Sequence, residues 1–179
     1  MLKLIFRVGR GIKIVFFHTV RFFLRFVDFI SPRVYMKLYN RLIRTLGVEL
    51  KGTPRYISTK VKFDDFSLVS LDDRVVISEN VILLTHDYSL TTGLISIGLE
   101  PDTDIAFKYG ISIGKNVFIG MGSILMPGSV IDDNVIVGAG SVVRGHVPSN
   151  SVVLGNPARV VCRLDDKANV WAKRVNQDA

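Results

Sequence analysis

The chain has 179 residues, 48% of them hydrophobic, and a formal net charge of +7 at pH 7. This length suits one domain with a small appendage rather than two domains, and the hydrophobic fraction excludes an intrinsically disordered chain. The single cysteine, Cys162, excludes a disulfide framework within the chain, and no Cys/His cluster has the spacing of a zinc site, which together fit a reducing compartment.

The positive charge is concentrated in residues 1–47. Ten Lys or Arg residues stand there against one acid, Asp28, which gives +9, so the other 132 residues sum to −2. Such a segment is typical of proteins that contact nucleic acid or an anionic membrane, and also of helices that only face solvent. No nucleic-acid recognition motif accompanies the charge, so we expect no nucleic-acid partner.

The periodicity of this segment predicts amphipathic helices. At 100° per residue the charged side chains of residues 1–29 fall within an arc of roughly 120°, and five Phe side chains fall outside it. The charged residues are Lys3, Arg7, Arg10, Lys13, Arg21, Arg25 and Asp28, and the aromatic residues are Phe16, Phe22, Phe23, Phe26 and Phe29. The pattern predicts one helix, or two pieces loosened at Gly9 and Gly11.

Pro32 ends this first helix, and Ser31 is a candidate cap for a second helix over residues 33–46. One face of the second helix is again cationic, with Arg33, Lys37, Arg41 and Arg44.

A cationic face opposite a Phe-rich face is typical of a helix that lies in the membrane interface. The alternative is a helix whose Phe face packs on its own domain or on a second subunit. Charges interrupt each apolar run before the ~18 residues that span a bilayer, and no small-residue cleavage site follows. The sequence therefore predicts neither a transmembrane helix nor an ordinary signal peptide, and favours a peripheral membrane contact through residues 1–47.

Residues 48–164 are dominated by a six-residue repeat, which is strict from residue 113 onward. Aliphatic residues recur at Ile113, Ile119, Leu125, Ile131, Val137 and Val143. The same register extends back to Leu83, Ile77 and Leu71, and places Asp65 where an aliphatic residue is expected. Residues 89–111 interrupt the repeat as an excursion loop, which leaves and re-enters in phase because 83 and 113 differ by a multiple of six.

A hexad of this kind predicts a short strand and a tight turn, with the aliphatic residue pointing inward and Gly or Asn at corners that need positive φ. Stacked hexads form a parallel β-solenoid with a continuous core. The predicted organisation is a helical segment over 1–47, the solenoid over 48–164 and a C-terminal tail over 165–179.

The hexads, the THD triplet after an aliphatic run, the excursion loop and the closing VLGNPARVV resemble the hexapeptide-repeat acyltransferases. The resemblance is strongest to the maltose/galactoside acetyltransferases and polysaccharide O-acetyltransferases, and covers about residues 57–164. It implies an all-β fold, a left-handed parallel β-helix with three hexads per coil, here with the helical segment at its N-terminus. It also implies a homotrimer with active sites between subunits, and acetyl-CoA as the donor.

His86 is the candidate catalytic residue. It lies in the stretch VILLTHDYSL, residues 81–90, at the end of a predicted buried strand, and its neighbours alone fit a structural histidine as well as a catalytic one. The family's general base resembles His86 in both flanks and order, so the resemblance implies that His86 takes the proton of a sugar hydroxyl as that hydroxyl attacks the thioester, without an acyl-enzyme. A carboxylate or backbone carbonyl is expected to orient the imidazole. Asp87 is not assigned this orienting role, because adjacent residues in a strand point to opposite faces. Cys162 lies after the last hexad and is more typical of a core residue than of a nucleophile.

The resemblance also implies binding residues. The stretch DDFSLVSLDDRVVISEN, residues 64–80, resembles a galactoside acetyltransferase segment in which an Asn and an Asp bind the sugar; these fall on Asp65 and Asp73, which also fit solvated corner residues. Family positions that bind CoA fall on Met121, Ala139, Arg144, Gly145 and Arg159. The chain departs from the family where Arg144-Gly145 replaces Thr-Lys and where Phe118 replaces a Trp. No metal is expected.

Together these features predict an acetyl-CoA-dependent O-acetyltransferase for a cell-envelope polysaccharide or its lipid-linked intermediate, at the cytoplasmic face of the membrane. Two alternatives stay open: an acetyltransferase for a small soluble acceptor such as a free sugar, an amino acid or an antibiotic, and a non-catalytic scaffold. A γ-class carbonic anhydrase needs three zinc-binding histidines, and the chain has only His18, His86 and His146, of which His18 lies in the basic helix.

Overall fold

The N-terminal segment forms two helices. The computed structural model describes the backbone of residues 2–175 and the side chains of residues 15–175. Helix α1 spans Leu2–Ile30 without a break, so the alternative of two pieces loosened at Gly9 and Gly11 is wrong. The side chains of Lys3, Arg7, Arg10 and Lys13, and tail residues 176–179, lie outside the described part of the chain.

Helix α2 spans Pro32–Leu46, close to the predicted bounds. The Oγ atom of Ser31 accepts a hydrogen bond from the Val34 amide, and the proline ring occupies the first turn, where a missing N–H leaves no partner unsatisfied. The helix ends at Gly47, whose φ of 120° favours a residue without a side chain. The predicted cap and the predicted end of α1 are therefore confirmed.

The body of the protein is a three-sided solenoid of short parallel strands, as the hexads predict. Sheet A contains β1 (Glu49–Leu50), β4 (Val69–Leu71), β9 (Ile111–Ile113), β12 (Val130–Ile131) and β15 (His146–Val147). Sheet B contains β2 (Tyr56–Ile57), β5 (Val76–Ile77), β10 (Phe118–Ile119), β13 (Val135–Val137), β16 (Ser151–Gly155) and β17 (Ala158–Arg163). Sheet C contains β3 (Lys62–Phe63), β6 (Ile82–Leu83), β11 (Ile124–Leu125) and β14 (Val142–Val143).

The register confirms three hexads per coil. Ile131 pairs with Ile113, eighteen residues earlier, and Val143 pairs with Leu125 at the same separation. The inward residues of these rungs are 0–1% exposed, so they form one continuous apolar ladder along the axis. The chain turns three times per coil, and the corners stack into three edges: the AB edge follows sheet A, the BC edge follows sheet B and the CA edge follows sheet C.

The first coil departs from the predicted register. The residue that pairs with Leu83 is Phe63, twenty residues earlier, and not Asp65. The Oδ1 atom of Asp65 accepts hydrogen bonds from the Ser67 amide and hydroxyl, and so caps a single 3₁₀ turn at Phe66–Leu68. This turn adds two residues to the corner, and the prediction that Asp65 lies on the inward ladder is wrong for that reason.

The excursion loop leaves and re-enters the solenoid in phase, as predicted. Leu83 pairs with Leu125, a separation of forty-two residues, which is one coil plus four inserted hexads. Within the loop, β7 (His86–Asp87) forms an antiparallel hairpin with β8 (Phe107–Lys108), and α3 spans Ser89–Ser96. Sequence analysis assigned no element to this loop.

The segment assigned from the sequence as a tail contains a helix, α4, over Leu164–Val175. Before it, β17 turns back antiparallel on β16.

Both N-terminal helices pack on the first coil. Helix α2 buries five side chains, and the Tyr35 hydroxyl donates a hydrogen bond to the Ile57 carbonyl of β2. Helix α1 buries Phe17 and Leu24, while the Tyr56 hydroxyl donates to Asp28 at 2.9 Å. The opposite face of α1 is apolar and exposed; we call it the Phe face, and it comprises Val15, Phe16, Phe22, Phe23, Phe26, Phe29 and Ile30. Within residues 2–175 no helix combines the length and apolar character that crossing a bilayer requires.

Gly120, on the BC edge, offers a test of the stacking. A Cβ atom at this position would lie 2.5 Å from the Ala139 amide nitrogen of the next coil, and backbone there has no room to move aside. We expect Gly120→Ala to lower the free energy of unfolding by about 1–3 kcal/mol. The matched control is Gly93→Ala in α3, where no atom lies within 4 Å and the change should be neutral or stabilise by up to about 1 kcal/mol. Equal denaturant midpoints for the two variants would contradict the tight coil contact.

Candidate active site

His86 stands on the CA edge, where β6 gives way to the β7–β8 hairpin. The preceding Thr85 is fully buried, and the Tyr109 amide donates to its carbonyl, which ties the far end of the excursion loop to the same corner. Lys108 pairs with His86 across the hairpin. These contacts hold the backbone of His86, and its side chain is 12% exposed.

Asp64 orients the imidazole, and sequence analysis missed it. Its Oδ2 atom lies 2.8 Å from Nδ1 of His86 and also accepts hydrogen bonds from the His86 amide at 3.0 Å and from the amide and hydroxyl of Thr85, both at 3.1 Å. A carboxylate in this position takes the Nδ1 proton as a hydrogen-bond donor, which leaves Nε2 with its lone pair. The contact with Asp64 therefore fixes the tautomer of the imidazole.

The signal that finds Asp64 is the register of the first coil. When Phe63 is placed on the ladder opposite Leu83, Asp64 falls directly below the Leu84–Thr85 corner. The strict six-residue extension instead drew attention to Asp65, and the carboxylate beside it was overlooked.

The pKa of Asp64 is lowered. Partial burial acts to raise the pKa, but hydrogen bonds from His86 and Thr85 and the proximity of the imidazole together outweigh it. The pKa of Asp64 in the folded protein lies below its ordinary value of 3.8. The stability that its hydrogen bonds contribute is therefore fully present above pH 3.8 and is lost as the pH falls through the lower, folded pKa. Asp64 is therefore ionised throughout the neutral range.

Asp87 has a different local role. Its Oδ1 atom accepts a hydrogen bond from the Ser89 amide at the start of α3. This contact with Ser89 lowers the pKa of the half-buried carboxylate, with a smaller effect from the charge of Arg144. The carboxylate on His86 Nδ1 thus belongs to Asp64, one coil away, and not to the adjacent residue.

Asp64→Asn is expected to lower kcat by about 10- to 10³-fold with a smaller change in KM, which is part of the ~10²–10⁴ that general-base catalysis contributes in full. The Asn amide can donate to Nδ1 and so stabilise the wrong tautomer, with the proton on Nε2. Steady-state kinetics at pH 7, with thermal unfolding to show that the variant is folded, provide the measurement. Asp65→Asn, beside it on the same corner, is the comparison; an equal loss of kcat in both variants would contradict a specific role for Asp64.

A cavity of about 580 Å³ lies between α1 and the first coil, and Asp64 forms part of its wall. Phe63 and Phe66 stack with ring centroids 4.9 Å apart, and Phe17 of α1 meets Phe66 edge-on at 5.0 Å. Arg21 and Asp65 also line the cavity. The cavity therefore combines an aromatic surface with polar groups, and Asp64 lies between it and His86.

The structure does not bring both predicted sugar-binding residues together. Asp65 lies on the CA edge with His86. Asp73 lies on the AB edge, where its Oδ1 atom accepts a hydrogen bond from the Thr53 amide at 3.2 Å and so links two coils. Within one chain, Asp73 and His86 belong to different edges of the solenoid.

The predicted CoA-binding residues are divided between edges. Met121 and Ala139 stack on the BC edge, where the Gly140 amide donates to the Met121 carbonyl at 2.8 Å. Arg144 and Gly145 lie on the CA edge above His86. Arg159 is on β17, and its guanidinium donates to the carbonyl of Ala158.

The remaining candidates lie apart from this site. Cys162 is half-buried on β17 opposite Val152. His146 pairs with Asp132 at 2.9 Å, and His18 contacts Arg21 on α1. In the described part of the chain, no three His, Cys, Asp or Glu side chains are grouped in a way that suits a metal ion.

Comparison with known proteins gives consistent matches. Residues 110–145 match the family described as bacterial transferase hexapeptide (six repeats). The chain is 37% identical over 142 residues to Protein CapG of Staphylococcus aureus, which covers 74% of this chain and 78% of CapG. It is 25% identical over 171 residues to the putative lipopolysaccharide biosynthesis O-acetyl transferase WbbJ of Escherichia coli K12, covering 89% and 87% of the two chains. It spans only 48–54% of the length of several other relatives.

A solved structure shares the fold. The structure of galactoside acetyltransferase in complex with coenzyme A superposes with a TM-score of 0.57 at 26% identity, over 73% of this chain and 72% of that one.

Proposed function

The chain belongs to the hexapeptide-repeat acetyltransferases, whose fold is the left-handed parallel β-helix, and from this premise we propose that it transfers an acetyl group from acetyl-CoA to a hydroxyl of a cell-envelope glycan or of its lipid-linked intermediate. The observation that carries the proposal is the Asp64–His86 pair on the CA edge. WbbJ is named for lipopolysaccharide biosynthesis, which supports an envelope glycan as the acceptor.

The two residues divide the chemistry between them. Asp64 holds the proton on Nδ1, and Nε2 of His86 takes the proton from the acceptor hydroxyl, which makes the oxygen a better nucleophile. The imidazolium formed is stabilised by the Asp64 carboxylate and later returns the proton to the leaving thiolate. No residue of the chain is acylated in this scheme.

Acetyl-CoA supplies an activated thioester carbonyl. The chain offers surfaces that suit a long, anionic cosubstrate: Ala139 and Gly140 leave exposed backbone on the BC edge, and Arg144 gives an exposed cation on the CA edge. Arginine is suited to phosphate because its guanidinium donates two parallel hydrogen bonds.

The division of these residues between edges supports a homotrimer. Within one chain, Met121 and Ala139 on the BC edge lie away from His86 on the CA edge. In a trimer, a neighbouring copy can place its BC edge, or Asp73 of its AB edge, next to the CA edge of the first chain. Exposed apolar residues on the outer faces of sheets A and B, such as Val130 and Phe118, provide contact surface.

We therefore expect light scattering in mild detergent to give three chain masses. Phe118→Glu should shift the mass toward the monomer and lower kcat/KM, because an interface that buries an unpaired charge is disfavoured. Val170→Glu, at an exposed site of α4, is the control. A fully active monomer would contradict a site shared between subunits.

The exposed Phe face supports a peripheral membrane contact. It carries no charged residue, and Arg25 flanks it on the same helix. This is the composition of a helix that lies in an anionic membrane interface. Such a position brings the enzyme to an acceptor carried on a lipid, which is why we favour this acceptor over a small soluble one.

The direct test of the function is CoA thiol release from acetyl-CoA, followed by mass spectrometry of the acceptor. Glycolipid extracted from cells that lack the protein should gain acetyl groups that a mild alkaline treatment removes, as expected of an ester. Acetylation of free sugars or amino acids alone would favour the soluble-acceptor alternative, and transfer to no acceptor would favour a scaffold.

A further inference from the structure

A basic groove adjoins the aromatic cavity. It has a volume of about 310 Å³ and lies between α1 and the first coil. Three side chains, His18, Arg21 and Lys62, line both the groove and the cavity, so the two spaces are adjacent. Phe22 of the Phe face also lines the groove.

The cations of the groove converge from two separate elements. Arg21 and Arg25 come from α1, and Lys60 and Lys62 come from the solenoid. Within residues 15–175, Lys60 is the one member of these four cations that forms an ion pair, with Glu79 at 2.7 Å. Arg21 lies over the Phe17 ring at 5.0 Å and contacts His18 at 3.0 Å, which directs its guanidinium along the helix.

Like charges that face each other across a concave surface destabilise the fold unless an anion binds between them. A solvated helix face spreads its cations into water, whereas these side chains border one groove. The groove is therefore suited to a small, multiply charged anion.

The geometry points to a diphosphate. We propose that the groove binds the diphosphate group that links the acceptor sugar to its carrier, while the sugar lies in the adjoining cavity beside Asp64, with the hydroxyl to be acetylated extending past Asp64 toward Nε2 of His86. This inference rests on the proposed acetyl transfer and names the substrate class: a diphosphate-linked sugar. The carrier would leave the groove beside Phe22, at the border of the Phe face. A prenyl lipid and a nucleotide are the two carriers that share this chemistry.

Calorimetric titration of the full-length protein with inorganic pyrophosphate, at low salt, tests the site. CoA is present at saturation, so that residues that bind its own phosphates are already occupied. The test variant is Arg25→Gln with Lys62→Gln. Within residues 15–175 neither side chain forms a hydrogen bond or an ion pair, so folding should be preserved. The control, Lys173→Gln with Arg174→Gln, removes the same charge from exposed positions of α4.

We expect the groove variant to bind pyrophosphate at least about tenfold more weakly than the parent. The loss of a single charge-assisted hydrogen bond raises the Kd by about tenfold or more. The control variant should bind like the parent. Equal affinity in the two variants would overturn the proposal, as would a complete loss of pyrophosphate binding in the parent when CoA is added, since the groove would then belong to CoA.

Two further probes separate the carriers. Tighter binding to farnesyl diphosphate in phosphatidylcholine vesicles than to uridine diphosphate identifies a lipid carrier, and the reverse identifies a nucleotide; either result supports a diphosphate site. CoA release with an uncharged sugar acceptor reports acetyl transfer separately. If the parent protein transfers no acetyl group but still binds pyrophosphate more tightly than the groove variant does, the proposed function is overturned. The groove is then an anion-binding site only.

Discussion

Replacing His86 with Ala is expected to lower kcat by about 10²–10⁴-fold, the usual contribution of a positioned general base. The change removes the ring nitrogen that Asp64 holds and, under the proposed mechanism, leaves the acceptor hydroxyl without a base. Folding should be retained because His86 is on the CA edge and not on the buried ladder, and because Thr85 and the main chain still donate to the Asp64 carboxylate. CoA release in steady state, together with circular dichroism, gives the measurement.

His146→Ala is the matched control for this experiment. His146 also pairs with an aspartate, Asp132, at 2.9 Å, but its side chain is 59% exposed and lies on sheet A, away from the Asp64 corner. Its replacement should leave kcat within about twofold of the parent. A His86→Ala enzyme that retained a third or more of the activity would contradict the general-base assignment.

Replacing four residues of the Phe face, Phe22, Phe23, Phe26 and Phe29, with Ser should abolish binding to anionic vesicles. A fully inserted Phe contributes roughly 1.5–3 kcal/mol, and each cation near an anionic surface about 1 kcal/mol, so removing four aromatic residues eliminates most of the affinity even if insertion is partial. These side chains are exposed, with Phe29 at 92%, so the substitutions do not disturb the core. Co-sedimentation with vesicles of rising anionic lipid content gives the measurement.

The control for membrane binding replaces Ile97 and Leu99 with Ser, two exposed apolar residues of the excursion loop. Binding of this variant and of the parent should persist at low salt and weaken at high salt, because salt screens the cationic contribution. If the parent fails to bind anionic vesicles at low salt, the Phe face packs against protein, and the soluble-acceptor alternative becomes the better hypothesis.

These experiments use point variants because the helices are part of the packed structure. Helix α2 covers Ile57 of the first coil, and Tyr35, Tyr39 and Ile43 are fully buried. Deletion of residues 1–47 would expose this apolar surface, so a loss of activity in the deletion would report unfolding as readily as a lost membrane contact.

The solenoid could be predicted from the sequence because its determinants are local. Each hexad carries its own inward aliphatic residue and its own corner, and Asn116 and Asn134 adopt the positive φ that the corner requires. The position of His86 followed from the same pattern. The hexad pattern could not predict that Asp64 contacts His86. The corner at Asp65 contains two extra residues, which shift the register of the first coil, and the spacing of the later hexads does not indicate this shift.

The two faces of α1 show a second limit. On the helical wheel the buried residues Phe17 and Leu24 fall within the arc of the charged residues, whereas the exposed Phe face is the more apolar of the two faces. Periodicity alone therefore does not tell which of them meets the solenoid. The distinction depends on the position of the first coil, which is a tertiary contact between residues far apart in the sequence.

The reversal of β17 on β16 has a consequence for self-association. A solenoid of parallel strands ends in unpaired backbone donors and acceptors, and a second copy could add there, coil upon coil, to build a filament. In sheet B the last parallel strand, β16, is instead paired with β17, which runs the other way, and α4 follows directly. At the opposite end of the same sheet, the Tyr35 hydroxyl of α2 binds the Ile57 carbonyl of β2. The strand at the β17 end of sheet B is therefore antiparallel, so a second copy that added there would not continue the parallel register of the coils.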